Sequence, residues 1–257
     1  MLGFKEHGKE NSTTVLFVHG SCLSNWMWQP QIEQMRNYHC LVPDLPEHQG
    51  SFCEKPFTIS NSAEQLAELI RKKAHDKYTH VVGLSLGGQV VIQLLSIAPE
   101  LIQSAMVSGV LVKPALRAKL LPFVTMLCSP FQSNDYFLRT KLKQLGIPMM
   151  YFNEFKKDSL ILYGNPLQRI LKENAEFRIP TNISECPSRL LSLVGEKESR
   201  FMIQSCRDIG DAFPNSQACV VDGMKHHWSF HAPALFTKTV VSWIESKKLP
   251  KELRALN

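Results

Sequence analysis

Ser85 sits in the run Gly83-Leu84-Ser85-Leu86-Gly87-Gly88, a G-x-S-x-G-G spacing that could present a serine for nucleophilic attack on a carbonyl. The apolar run Thr79-His80-Val81-Val82 before it reads as a short buried strand. The run Gln89-Val90-Val91-Ile92-Gln93-Leu94-Leu95 after it places apolar residues at helical spacing. Ser85 therefore falls at a strand-to-helix turn. A non-glycine residue there is forced toward positive φ and is tolerated only where its neighbours lack bulk, which Gly83 and Gly87 supply. The start of the following helix aims backbone N–H groups and a partial positive charge at the same spot, so an oxyanion could be held there.

A serine hydroxyl is a poor nucleophile near neutral pH unless an imidazole takes its proton, and the imidazole needs a carboxylate to fix its tautomer. Both partners are expected at the carboxyl ends of later strands. After the apolar run Arg189 to Val194 comes Gly195-Glu196-Lys197-Glu198. After Ala218 to Val221 comes Asp222-Gly223-Met224-Lys225-His226-His227-Trp228. The order serine, acid, histidine is the one a doubly wound sheet with a nucleophile elbow requires. Cys22 and Cys128 are weak rivals as nucleophile, because neither sits on an elbow.

The elements that must position these groups alternate. Thr13 to Val18 reads as a buried strand ending at His19-Gly20, Trp26 to Arg36 as a helix, and Tyr38 to Asp44 as a second strand. Ser62 to Ala74 reads as an amphipathic helix with Ser62 and Gln65 as its capping box. Ala105 to Val110 is a further strand, and the last helix, about Pro233 to Ser246, has proline in its first turn. Strands alternating with helices give an α/β class: a doubly wound, mostly parallel sheet covered on both faces. Residues 111–184 break the rhythm with apparent helices over Leu116 to Met126, Asn134 to Leu145 and Asn165 to Asn174, punctuated by six prolines. The expected organisation is core 1–110, an inserted helical cap 111–184, and core 185–257.

At 257 residues and 44% hydrophobic, the chain can bury one large α/β domain with an insertion. Met1 to His7 has no apolar core of a secretory signal, and the long apolar runs are too short or too interrupted to span a bilayer. A cytoplasmic protein without a membrane span is expected. Seven scattered cysteines, never spaced C-x-x-C, argue against a disulfide framework and a zinc site. Residues 111–184 hold eleven Lys/Arg against five Asp/Glu, the whole of the +6 net charge. That surplus could draw an anionic group or could be a solvated helical face. No aromatic-interleaved basic stripe points to nucleic acid.

Taken together, the His19-Gly20 turn, Asp44-Leu45-Pro46, the elbow at Ser85, the Gly195-x-x-Glu198 turn and the terminal histidine loop resemble the α/β-hydrolase superfamily, in its capped esterase and lipase-like branch. The resemblance covers nearly the whole chain. It implies a Ser85, His226 and Glu198 triad, since the family acid commonly lies three residues after the glycine and the base about seven before the final helix's proline. Glu196 and His227 are the alternatives. Glu198 stands where the family more often has Asp, Lys225 where it often has Gly, and His231 where Glu is frequent. The oxyanion donors it implies are the N–H groups of Leu86 and Ser21, with Cys22 as an alternative to Ser21. His19, Asp44, His48 and Gly50 read as loop-shaping. Trp26 and Trp28, with Met149, Met150, Tyr151 and Phe152, could line an apolar acyl pocket or simply pack the core. The implied activity is hydrolysis of a small to medium carboxylic ester, without metal or organic cofactor, on a small-molecule acyl substrate, by a monomer or homodimer. The same residues could serve carbon–carbon, thioester or cyanohydrin cleavage, or survive in a non-catalytic receptor.

Overall fold

The computed structural model describes residues 1–54, 56–75, 78–113 and 133–256. In chain order the strands are β1 (Phe4–His7), β2 (Thr14–Val18), β3 (His39–Pro43), β4 (Thr79–Leu84), β5 (Ile102–Ser108), β6 (Arg189–Gly195), β7 (Ser216–Val221) and β8 (Leu253–Ala255). They form one sheet in the order β1-β3-β2-β4-β5-β6-β7-β8. The six inner strands are parallel, and β1 and β8 close the edges antiparallel.

Parallel pairing puts crossover helices on both faces, so the inner strands have no polar side. Every residue of β2 and β4 is buried. The pleat sends alternate residues to opposite layers. Leu16 and Val18 pack with the helices Ile59–Lys73 and Leu86–Ile97, while Val15 and Phe17 pack with Trp28, Phe236 and Val240.

In chain order the helices are α1 (Gln29–Ile32), α2 (Ile59–Lys73), α3 (Leu86–Ile97), α4 (Asp135–Leu145), α5 (Phe152–Ile161), α6 (Asn165–Glu176), α7 (Arg200–Ala212), α8 (Trp228–His231) and α9 (Pro233–Ile244). Three of them, α4 to α6, lie between β5 and β6 as a helical cap. Two match the expected cap helices, and α4 is N-capped by Asn134, whose side chain accepts from the Phe137 N–H at 3.0 Å. The expected helix over Leu116 to Met126 lies outside the described residues.

Some expectations are corrected. The helix read over Trp26 to Arg36 is a 3₁₀ turn, Asn25–Trp28, followed by the single turn of α1. Beyond it, Gln34 and Met35 bond three residues back rather than four, which tightens the chain out of helix. The Ser62/Gln65 capping box is not formed. Helix α2 begins three residues earlier at a Thr58 cap, whose hydroxyl accepts from Asn61 N–H at 3.0 Å, while Ser62 Oγ donates back to Thr58 O at 2.7 Å. Helix α7 and the edge strands β1 and β8 were not anticipated. The edge strands are short and lack apolar alternation, so only their distant partners define them.

Among the described residues six cysteines are free, and Cys40, Cys186, Cys206 and Cys219 are buried. No described helix is long and apolar enough to cross a membrane.

Candidate active site

Ser85 stands between β4 and α3 at φ 55° and ψ −118°. A non-glycine residue there carries strain on the order of 1–3 kcal/mol, which the surroundings must impose. Its N–H donates to the carbonyl of Ser108 at 2.8 Å, locking the turn to the end of β5. The glycines give the clearance: a Cβ on Gly83 would lie 2.7 Å from Gly87 O, and one on Gly87 would lie 2.5 Å from His19 O. On Gly88 it would collide with the Val110 side chain. Leu86 opens α3, so its N–H has no intrahelical acceptor.

Glu198 and His226 meet beyond the ends of β6 and β7. His226 Nδ1 is 2.6 Å from Glu198 Oε2, and the second carboxylate oxygen, Oε1, accepts from Gly195 N–H at 3.0 Å. The longer arm of glutamate is thus folded back onto its own strand end. A carboxylate offers only acceptors, so in the neutral imidazole it selects the tautomer with the proton on Nδ1 and the lone pair on Nε2. Glu198 is buried to 5% side-chain exposure, whereas His226 keeps 31%. Glu196 faces elsewhere, accepting from Gly223 N–H at 2.8 Å and pairing with Arg254 at 2.9 Å. His227 also turns away. Burial, with His226 and His231 nearby, pushes it down to about 3, against a hydrogen bond with the Leu145 backbone.

One residue that binds the site together escaped the sequence reading. Gly109, at φ 62°, lies under the imidazole, where a Cβ would fall 2.7 Å from His226 Nδ1 and 3.5 Å from Glu198 Oε1. Its neighbour Ser108 holds the Ser85 N–H through its carbonyl and accepts from Trp228 Nε1 at 2.9 Å through its hydroxyl. The end of β5 thereby fixes both the elbow and the histidine loop. The sequence signal was a glycine closing a buried strand.

On the other side of Ser85 runs the turn after β2. A Cβ on Gly20 would sit 3.7 Å from Ser85 Cβ, so Gly20 borders the elbow, and Ser21 is the residue that follows it. Leu45 N–H donates to His19 Nε2 at 2.9 Å, which leaves Nδ1 to donate to Gly20 O at 2.9 Å. Burial pushes His19 down to about 4, so it stays neutral in this role. Asp44 is buried and grips Asn25 through its N–H and side-chain amide, both at 2.7 Å, and Gly50 N–H at 3.1 Å. Both residues brace loops, as their positions suggested, and His48 packs edge-on against His19 at 4.7 Å.

Of the pocket candidates, Trp26 stacks on Tyr151 at 5.3 Å and approaches Phe230 at 6.0 Å. Phe152 is buried under the Arg139 guanidinium at 3.9 Å, Met149 is 37% exposed, and Met150 points to solvent. Trp28 is wedged between Phe17 and Phe236 in the core. The basic surplus of the cap is partly spent in pairs, with Lys156 on Asp135 and Arg169 gripping Glu47 of the core through two bonds of 2.7 and 3.1 Å.

A second unforeseen residue is Asp158 on α5, whose Oδ2 accepts from Trp26 Nε1 at 2.6 Å and Ser24 Oγ at 3.1 Å. Burial raises its carboxyl from the ordinary 3.8 to about 7, and Asp44 adds to this, against the pull of the Trp26, Gln49 and Ser24 donors. Between about pH 4 and pH 7 the folded state thus holds a proton that the unfolded chain releases, so stability falls as pH rises through that window. Asp158→Asn removes the dependence. Urea denaturation across this range should show the variant gaining on the wild type with rising pH, by at most about 4 kcal/mol. A difference that stays constant with pH would place the carboxyl at its ordinary value.

Among the described residues, one group could offer three ligand atoms to a metal: Glu6, His39 and His75, within 4.8 Å of one another. It lies at the amino ends of the strands, away from Ser85. The two imidazoles stack at 4.0 Å and 12°, so their ring-plane lone pairs run side by side rather than converging, and Lys73 stands 3.9 Å from Glu6.

The geometry can be set beside known proteins. An AB hydrolase superfamily protein of Gibberella zeae is 28% identical over 262 residues, covering 96% of this chain and 85% of its own length. A pimeloyl-(acyl-carrier protein) methyl ester esterase of Nitrosomonas europaea is 31% identical over 94 residues, 36% of this chain and 35% of the esterase. The solved structure of a thermophilic esterase from Thermogutta terrifontis superposes with a TM-score of 0.77 at 18% identity, over 95% of this chain and 93% of that one, and so shares the fold. The profile of the Alpha/beta hydrolase family matches residues 15–239. That match runs from β2 into α9, through the elbow, the Gly195–Glu198 turn and the histidine loop, and the chain belongs to the alpha/beta hydrolase family.

Proposed function

We propose that this chain is a serine hydrolase that cleaves small to medium carboxylic esters through an acyl-enzyme. Ser85 Oγ attacks the carbonyl while His226 Nε2 takes its proton, then delivers that proton to the leaving alcohol. Glu198 holds the imidazole by Nδ1 and stabilises the imidazolium. The N–H groups of Leu86 and Ser21 receive the oxyanion. Water, activated by the same histidine, then releases the acid. The cycle needs no metal or organic cofactor.

The observation that carries this reading is the 2.6 Å contact between His226 and Glu198, formed over Gly109 at the end of the strand that also holds the Ser85 N–H. The esterases of Nitrosomonas europaea and Thermogutta terrifontis among its relatives support ester cleavage. Residues 111–184 form the cap in this reading, between core segments 1–110 and 185–257. Trp26, Met149 and Phe152 are the candidates for contact with the acyl chain, which a panel of p-nitrophenyl esters of increasing length would test.

The direct experiment treats the protein with a fluorophosphonate, locates the adduct by mass spectrometry and measures p-nitrophenyl acetate turnover. An adduct on Ser85 is expected, and its absence removes the serine-hydrolase reading. The acid is tested separately. Glu198→Gln replaces the acceptor facing Nδ1–H with an amide and should lower kcat by about 10³- to 10⁴-fold. Glu196→Gln, which weakens an exposed pair with Arg254 and keeps an oxygen that can accept from Gly223 N–H, should stay within about twofold. The reverse pattern would make Glu196 the acid.

A further inference from the structure

We propose that Asp158 is a positioning residue for the reaction: a carboxyl supplied by the cap that fixes Ser24 and Trp26, and through them the loop carrying the Ser21 oxyanion donor. The inference rests on the reading of Ser85 and Ser21 given above. Its physical basis is the way residues 20–28 are held. The segment begins at the Gly20 turn beside Ser85 and passes through Cys22, a non-glycine residue at φ 59°. A backbone in that region relaxes unless fixed from outside.

Two carboxyls fix it from opposite sides. Asp44, on the core, binds the backbone and side-chain amides of Asn25. Asp158, on cap helix α5, binds the residues on either side of it, Ser24 and Trp26. Three successive residues are therefore clamped between core and cap, and the Trp26 ring is packed in place by Tyr151 and Phe230.

Asp158 is 1% exposed and, among the described residues, has no cationic partner. A buried carboxyl facing only neutral donors destabilises a fold, and a leucine or methionine would fill the same space more favourably. What Asp158 supplies that an apolar side chain cannot is an acceptor that sets the Trp26 indole and the Ser24 hydroxyl in one geometry. Because oxyanion donors act only when correctly placed in the transition state, loosening this clamp should lower kcat more than it raises KM.

The test compares Asp158→Ala, Asp158→Asn and Trp26→Phe. In Asp158→Ala, kcat for p-nitrophenyl acetate should fall about 10- to 100-fold with KM changed less than about threefold. Backbone amides of residues 21–26 should exchange with deuterium faster while those of β2 and β4 do not. Asp158→Asn keeps an acceptor oxygen at the same place and should recover most of the activity and the slow exchange. Trp26→Phe deletes the indole N–H while keeping an aromatic ring against Tyr151 and Phe230, which keeps the proposal testable if the alanine variant does not fold, and should repeat its kcat loss in part. Unchanged kcat and unchanged exchange in these variants, a change in KM alone, or faster exchange spread over the whole protein would each overturn the proposal. The hydrolase reading fails by a different result, the absence of a fluorophosphonate adduct on wild-type Ser85. In that event the exchange of residues 21–26 still decides whether Asp158 holds the loop.

Discussion

Ser85→Ala should eliminate ester turnover, by on the order of 10⁵-fold, and abolish the fluorophosphonate adduct, while the melting temperature stays within a few degrees of the wild type. The two halves of this result have separate causes. The chemistry fails because alanine has no oxygen to form the acyl-enzyme, and His226 and Glu198 are then arranged around nothing they can activate. The fold survives because the Ser85 side chain contributes no capping hydrogen bond to α3. The locking bond of the turn is made by the backbone N–H to Ser108 O, which alanine retains. Alanine inherits the same φ of 55° and so the same strain. Turnover with p-nitrophenyl acetate, mass spectrometry of the labelled protein and a thermal melt decide the matter together. Turnover near the wild-type rate in a folded Ser85→Ala would place the nucleophile elsewhere.

Gly87→Ala should show the opposite division, with the fold lost and activity with it. The added Cβ would lie 2.5 Å from the carbonyl oxygen of His19 and nearer still to that of Val18. Both are backbone atoms at the end of the central strand β2, so no rotamer change can relieve the clash. Either α3 lifts from the sheet or the His19-Gly20 turn moves, and both carry oxyanion donors in the proposed mechanism. A loss of at least about 3 kcal/mol is expected, seen as a low soluble yield and a lowered denaturation midpoint. Gly20→Ala is the control in the same site. Its Cβ would meet Leu84 O at 3.5 Å and Ser85 Cβ at 3.7 Å, ordinary contact distances. That variant should fold like the wild type. A Gly87→Ala protein as stable as Gly20→Ala would mean that the elbow has room the geometry denies it.

The elbow was legible from the sequence because its glycines lie within three residues of Ser85. Only the Gly83 constraint is local, since its Cβ would strike Gly87 and Gly88, whereas Gly87 and Gly88 must be bare because the fold brings the end of β2 and Val110 against them. The inner strands were legible for a related reason. A parallel strand buried on both faces must be apolar along its length, and β2, β4 and β6 carry that mark in their own residues. The edge strands do not. Phe4–His7 becomes a strand only because β3 offers it hydrogen bonds, and nothing within its four residues announces the partner. The α2 cap was misplaced because Thr58 and Ser62 are both good capping residues, and the helix chose the one whose hydroxyl meets an N–H three residues on.

By itself, then, the sequence determined the sheet's inner strands, the strained serine between β4 and α3, and the order in which an acid and a histidine follow it. Tertiary structure decided which glutamate reaches the imidazole. Glu196 and Glu198 are the same residue type two positions apart, but only Glu198 turns inward to His226, while Glu196 is held outside by Gly223 and Arg254. It also decided that Gly109 must be bare beneath the histidine ring and that Asp158, 132 residues from Trp26 in the chain, holds its indole. The physical reason is common to all three. A conformational restriction travels along the backbone and can be read there, whereas a hydrogen bond or a clash between distant segments exists only once the fold has brought them within a few ångströms.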